Sequence, residues 1–198
     1  MVGRRRTRGA GALLAGAVLI TCAVAAVLWL VPPLSRACCV PPPGDTAPPD
    51  PIVPVRPDEA FALTVDHVYD GDTIRATVLT PNAVVTTDRP IRIRLIGIDT
   101  PEGTPTIECW ADEARDHLSE LLPVGERVWA APDRDSWDDH GRRLFYLWTD
   151  DGTFVNHELV TAGDAVAIRV RPNDAHFALL SAAQDAAEAA SLGRWGHC

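Results

Sequence analysis

Ile91-Arg-Ile-Arg-Leu-Ile-Gly-Ile-Asp-Thr-Pro-Glu102 is the stretch on which the reading of this chain turns. Its first half has the β-branched and apolar residues of a strand, with Arg92 and Arg94 on one face. Pro101 stops the strand and biases Thr100 away from helix. Asp99 and Glu102 are therefore held in a fixed turn, with Arg94 set back inside the strand. Carboxylate oxygens suit a hard cation such as Ca²⁺ or Mg²⁺. A carboxylate is also a general base, and a guanidinium forks onto phosphate. Taken alone, the same residues also describe an ordinary strand end with solvated charges.

Two further segments change the weighing. Val68-Tyr-Asp-Gly-Asp-Thr-Ile74 lies upstream between two strand-like runs, and Asp138-Asp-His-Gly-Arg-Arg-Leu144 lies downstream. Singly, the first reads as an Asp-Gly hairpin turn and the second as a polar turn with exposed arginines. Together, in this order, the three segments resemble the thermonuclease (staphylococcal-nuclease-like) family. The family pattern is Asp-Gly-Asp-Thr, here Asp70 to Thr73. Next comes Arg followed five residues later by Asp-Thr-Pro-Glu, here Arg94 with Asp99 to Glu102. Last is Asp-x-x-Gly-Arg, here Asp138 with Gly141 and Arg142. Asp151-Gly152, Val155-Asn156, Gly163, Arg171-Pro172-Asn173 and His176 continue the likeness, which runs from about Phe61 to Trp195.

The resemblance implies a set of roles. Asp72 and Asp99 would hold Ca²⁺, with the Thr100 backbone carbonyl as a further ligand. Glu102 would be the general base toward the attacking water. Arg94 and Arg142 would clamp the phosphate and stabilise developing charge. Asp70 would support the turn rather than bind metal. The reaction implied is phosphodiester hydrolysis of DNA or RNA, preferably single-stranded, leaving 3′-phosphate ends, with no obligate protein partner.

The chain also departs from the family. All 18 of its basic residues are arginine. Five precede Ala37, which leaves 13 arginines against all 27 acids, a net charge of −14 for the remainder with histidine neutral. Nucleic-acid affinity rests largely on cations that neutralise phosphates, and a negative field slows encounter. Asp139 and His140 stand where the family has a lysine and a tyrosine. Ile168 and Val170 stand where it has base-stacking tyrosines. Stacking contributes roughly 1–3 kcal/mol per base, so the expectation is intact chemistry with weak, salt-sensitive substrate binding. The competing class is an OB-type module that binds nucleic acid or protein without catalysis; the joint presence of Asp72, Asp99, Glu102, Arg94 and Arg142 favours the enzyme.

At 198 residues the chain has room for one domain and extra segments. Residues 1–9 are basic. Residues 10–31 contain an uncharged run from Gly11 to Val31, 21 residues long, or about 31 Å as a helix, enough to span a bilayer. Basic residues before it place the N-terminus in the cytoplasm and the domain outside. An uncleaved membrane anchor is favoured because the run exceeds a usual signal-peptide core of roughly 7–15 residues. A cleaved signal peptide, giving a secreted protein, is the alternative, with Ser35-Arg36-Ala37 as a tolerable site. A lipoprotein at Cys22 or Cys38 fits less well. Residues 32–58 form a proline-rich linker, semi-extended and without a core.

Residues 59–198 are the globular part. Alternation predicts strands from Phe61, at Asp72 to Thr80, at Ile91 to Ile98, at Arg127 to Ala131 and at Leu144 to Trp148. An apolar stripe predicts a helix over Trp110 to Leu122. Asn156 is expected to cap a short helix ended by Gly163, and Asn173 or Asp174 a last helix reaching Ser191. Five strands with a helix after the third fit an α+β fold, mainly β: a five-stranded Greek-key barrel of the OB type with three helices, preceded by the N-terminal membrane or signal helix.

Five cysteines remain. Cys22 sits in the apolar run. The other four allow three pairings in a compartment where disulfides persist. Cys109 with Cys198 is the expected pair, tying the start of the first long helix to the chain's end. Cys38 and Cys39 would pair between chains or stay free. His197 beside Cys198 raises a metal site only weakly, since nothing else has ligand spacing.

Overall fold

The computed structural model describes residues 52–198. The basic segment, the apolar run, most of the linker, and Cys22, Cys38 and Cys39 lie outside the described residues. The elements in order are β1 (Phe61–Val68), β2 (Thr73–Val78), β3 (Ile91–Leu95), β4 (Ile98–Asp99), α1 (Ala111–Leu121), β5 (Arg127–Ala131), β6 (Arg143–Thr149), α2 (Val155–Thr161), β7 (Val166–Ala167), α3 (Phe177–Ala189) and the single turn α4 (Arg194–His197).

Five strands close into a barrel in the order β1-β2-β3-β6-β5, and β4 pairs with β7 in a separate two-stranded sheet. The β3–β6 pairing is parallel, and the other barrel pairings are antiparallel. This is the OB-type barrel with three principal helices. Its interior is the inward half of each alternating strand. Leu63, Val65, Ile74, Ala76, Ile93, Leu95, Val128, Ala130, Phe145 and Leu147 are all at most 1% exposed. Each large side chain among them contributes about 1.5–3 kcal/mol through burial. Val155, Leu159 and Val160 of α2, Leu180 of α3 and Leu118 of α1 pack into the same core.

The structure departs from the sequence expectation at three points. The strand expected over Ile91 to Ile98 breaks at Ile96-Gly97. Gly97 has φ +78°, a backbone conformation that favours glycine, and a Cβ there would also press on Leu180 Cδ1 at 2.9 Å. The carbonyls freed by the break are all satisfied. Arg94 Nη1 donates to those of Leu95 (3.0 Å) and Ile98 (2.7 Å). The Ile168 N–H donates to that of Gly97 at 2.9 Å.

Asn156 accounts for the fourth carbonyl, and this is the second departure. It lies inside α2, whose preceding residue is Phe154, and is fully buried. Its amide donates to the Ile96 carbonyl (2.8 Å) and accepts from the Leu147 N–H (3.0 Å). Orphaned backbone groups in the core outweighed a helix cap.

Asn173 and Asp174 do not cap α3 either, since His176 precedes that helix. Asn173 instead accepts from the N–H groups of Arg134 (3.0 Å) and Asp135 (2.8 Å) and donates to the Asp135 carbonyl (2.8 Å). Asp174 pairs with Arg169 at 2.9 Å.

Candidate active site

The β1–β2 turn packs closely on the residue that follows β4 and on α1 because residue 71 is glycine. A Cβ on Gly71 would lie 2.8 Å from Thr100 Cγ2 and 2.9 Å from Ala114 Cβ. Asp70 stabilises the turn by accepting the Asp72 N–H at 3.1 Å. The turn thereby delivers Asp72 under Thr100. One oxygen of the Asp72 carboxylate accepts from the Thr100 N–H (3.0 Å), the Thr100 hydroxyl (3.1 Å) and Arg94 Nη2 (3.0 Å). The other accepts from the Thr73 hydroxyl at 3.0 Å. Asp72 is only 5% exposed. Burial pushes its pKa up to about 6, the Asp70 charge adds to the rise, and Arg94 with the Thr100 and Thr73 hydrogen bonds opposes it.

Arg94 is the hinge of the site. Its Nη2 also reaches Asp99 at 2.6 Å, so a single nitrogen joins a buried carboxylate to one that is half exposed. Two hard carboxylates converging on one cationic nitrogen form a donor set that a divalent cation also satisfies. The raised pKa of Asp72 marks a buried charge that gains from such a cation. Among the described residues no group of three or more His, Cys, Asp or Glu is disposed to hold a metal. A cation here would therefore rest on Asp72, Asp99 and backbone oxygen such as that of Thr100.

Glu102 lies past the buried Pro101 and is exposed. Its main chain exchanges hydrogen bonds with Glu108: its N–H donates to the Glu108 carboxylate at 3.0 Å, and its carbonyl accepts the Glu108 N–H at 2.9 Å. This closes the loop between them. No hydrogen bond engages the Glu102 carboxylate among the described residues.

Arg142 is positioned by its own hairpin. Asp138 accepts the Arg142 N–H (2.8 Å), its Nε (2.6 Å) and the His140 N–H (3.0 Å), while Gly141 turns the chain at φ +73°. Burial pushes the Asp138 carboxyl up, but these donors and the Arg142 charge outweigh it and hold the carboxyl below the ordinary range. With Nε engaged, the terminal nitrogens of Arg142 form an open fork. Asp138 is thus the organiser of this arm, a role the Asp-x-x-Gly-Arg spacing carries but does not spell out.

Arg94, Asp138 and Arg142 line one cleft of about 170 Å³, together with Ile168, Val170 and Asn173. Asp72, Asp99 and Glu102 stand outside its lining, and Arg94 connects the two parts. Ile168 and Val170 form an aliphatic wall, with Val170 55% exposed.

Away from the cleft, Cys109 and Cys198 form a disulfide across 89 residues of sequence. Cys198 is thereby withdrawn from any metal site with His197. Trp110 Nε1 donates to Asp164 at 2.7 Å, and His117 Nδ1 lies 2.5 Å from the other Asp164 oxygen.

Comparison with known proteins agrees with this geometry. Residues 92–197, more than half of the chain, match the family described as staphylococcal nuclease homologue. The chain is 35% identical over 136 residues to a thermonuclease of Staphylococcus intermedius, covering 66% of this chain and 74% of that one. It is 33% identical over 141 residues to endonuclease YhcR of Bacillus subtilis (strain 168), covering 66% of this chain and 11% of that one. With the barrel, the Asp72–Arg94–Asp99 junction and the Asp138–Arg142 arm, these likenesses show that the chain belongs to the staphylococcal nuclease homologue family.

Proposed function

We propose that this protein is a Ca²⁺-dependent nuclease that hydrolyses phosphodiester bonds of single-stranded DNA or RNA outside the cytoplasm. The observation that carries the reading is the convergence of Arg94 on Asp72 and Asp99 beside a cleft it shares with Arg142. Asp72, Asp99 and the Thr100 carbonyl would hold Ca²⁺, which supplies electrostatic stabilisation of a phosphate oxygen. Arg94 and Arg142 grip the remaining phosphate oxygens and stabilise the charge that grows on them. Glu102, with a carboxylate open to solvent, takes a proton from the attacking water. The water oxygen bonds to phosphorus, the bond to the 5′ oxygen breaks, and the phosphate stays on the 3′ side. The leaving oxygen takes its proton from solvent, because a guanidinium is a poor acid at neutral pH.

The basic segment 1–9 and the apolar segment 10–31 support a single-pass anchor with the domain outside the cytoplasm, and residues 32–58 a spacer holding it off the membrane. Fractionation of cells with protease added from outside tests this: the domain should be membrane-bound and accessible. Release of a soluble, shortened chain would favour cleavage instead.

A second reading, an OB-type binder with little catalysis, is favoured by the acidic surface and by the aliphatic residues at 168 and 170. Hydrolysis of denatured DNA by the purified chain, with and without Ca²⁺, separates the two.

A further inference from the structure

The outer face of β1, β2 and β3 carries an arrangement that the chemistry above does not use. His67 of β1 is registered with Arg75 of β2, and Arg75 is registered with Arg92 of β3. All three are exposed. Arg92 and Arg142 each directly precede a member of the registered pair Ile93–Arg143, so the row runs on to the arm of the cleft. Arg94 lies two residues beyond Arg92 on the same face of β3.

Two arginines directly opposite on adjacent strands repel each other. Among the described residues neither Arg75 nor Arg92 makes an ion pair. Three carboxylates on or beside these strands are engaged elsewhere, Asp72 with Arg94 and Thr100, and Asp88, four residues before Arg92, forms no ion pair with it. Asp66 accepts the Thr77 hydroxyl at 2.8 Å, and Asp70 accepts the Asp72 N–H at 3.1 Å. In a domain with about twice as many acids as arginines, this absence of neutralisation is selective. Tyr69, 38% exposed, braces the row. The Arg92 guanidinium lies 4.4 Å from its ring centroid, and the His67 ring packs against it edge-on at 4.7 Å.

We infer that His67, Arg75 and Arg92, with Tyr69 positioning Arg92, form a track for the phosphodiester backbone of the strand that flanks the scissile bond. This rests on the nuclease reading of the cleft and extends it. The two arginines of the row, continuous with Arg142 and Arg94, offer sequence-independent contacts to successive phosphates, and His67 adds a ring N–H donor beside them. The row recovers part of the affinity that an acidic surface and an aliphatic cleft wall forgo. The occupant is a single-stranded nucleic acid, because the row leads into a cleft built for one phosphate and its cations reach backbone charge, not base edges.

The test uses the full chain and its Arg75→Gln/Arg92→Gln variant. Binding is measured in chelator to a dinucleotide and to an oligothymidylate of about 12 nucleotides, over a series of salt concentrations. The variant should bind the long strand at least about tenfold more weakly, with the salt slope reduced by about 1.4, or roughly 0.7 for each phosphate that is no longer neutralised. Its dinucleotide binding should stay within about twofold, since neither arginine lies in the cleft. The single variant Arg75→Gln should show about half the slope change. Tyr69→Phe should behave as wild type and Tyr69→Leu should lose part of the long-strand affinity, a difference that loss of structure alone would not produce. Unchanged long-strand affinity and slope, or equal losses on both lengths, would overturn the track. Because the readout is binding, a chain that hydrolyses nothing but shows the length-dependent loss would keep the track and remove the nuclease reading. Hydrolysis without the loss would do the reverse.

Discussion

The β3–β4 junction and the start of α1 are both tied by contacts long in sequence, but the ties differ in kind. At the junction, Arg94 spans a buried and a half-exposed aspartate with one nitrogen, and Glu102, further along the chain, has no side-chain partner among the described residues. At the helix start, a covalent bond joins Cys109 to Cys198, and Asp164 takes both Trp110 and His117. The first region gathers charges whose repulsion and desolvation are only partly offset. The second is neutralised locally and locked. The proposed hydrolytic site thus combines incompletely offset charges with a scaffold whose stability lies elsewhere.

Breaking the lock should have the largest effect on stability and little on chemistry. Replacing Cys109 and Cys198 by alanine should cost about 2–5 kcal/mol, read as a lower midpoint in denaturant, with turnover retained well below the unfolding temperature. Breaking the other region should do the opposite. Arg142→Ala should lower kcat by about 10²–10³-fold, as for loss of one charge-stabilising donor. Thermal unfolding should shift little, because Arg142 sits on a surface hairpin.

The cleft wall offers a gain of function. Val170→Tyr should tighten single-strand binding by about 1–3 kcal/mol, the contribution of one stacked base, read as a lower KM. No gain would mean that this wall does not face a base.

The smallest effect belongs to His117. Its hydrogen bond to Asp164 raises its pKa against the effect of burial. A histidine with a raised folded pKa contributes stability that is complete below its unfolded value near 6.5 and is lost as pH rises through the folded value. Wild-type stability should therefore fall relative to His117→Gln as pH rises above about 6.5, with activity untouched.

Much of this was legible in the sequence, for reasons that differ by residue. Period-two alternation marked the barrel strands, because one face of each is buried. Asp72, Arg94, Asp99, Glu102 and Arg142 are singled out by the family resemblance that three short segments carry together, and the structure joins Asp72, Arg94 and Asp99 and sets Arg142 on the cleft that Arg94 lines. What stayed hidden depended on three-dimensional neighbours. Gly71 reads as a turn residue, yet its use is the close approach of Thr100 and Ala114. Asn156 and Asn173 read as helix caps, yet each satisfies backbone groups from distant elements. The break at Gly97 was invisible because Ile96 and Ile98 continue the strand pattern. Arg75 opposite Arg92 required the register, which no local pattern supplies.

The most direct test of the account is Ca²⁺-dependent hydrolysis of denatured DNA by the purified full chain beside its Glu102→Gln variant. The prediction is activity that requires Ca²⁺ and falls by about 10²–10⁴-fold in the variant, with thermal unfolding unchanged. Equal activity in both proteins would contradict the role given to Glu102. No activity in either, with Ca²⁺ bound to both, would contradict the nuclease itself.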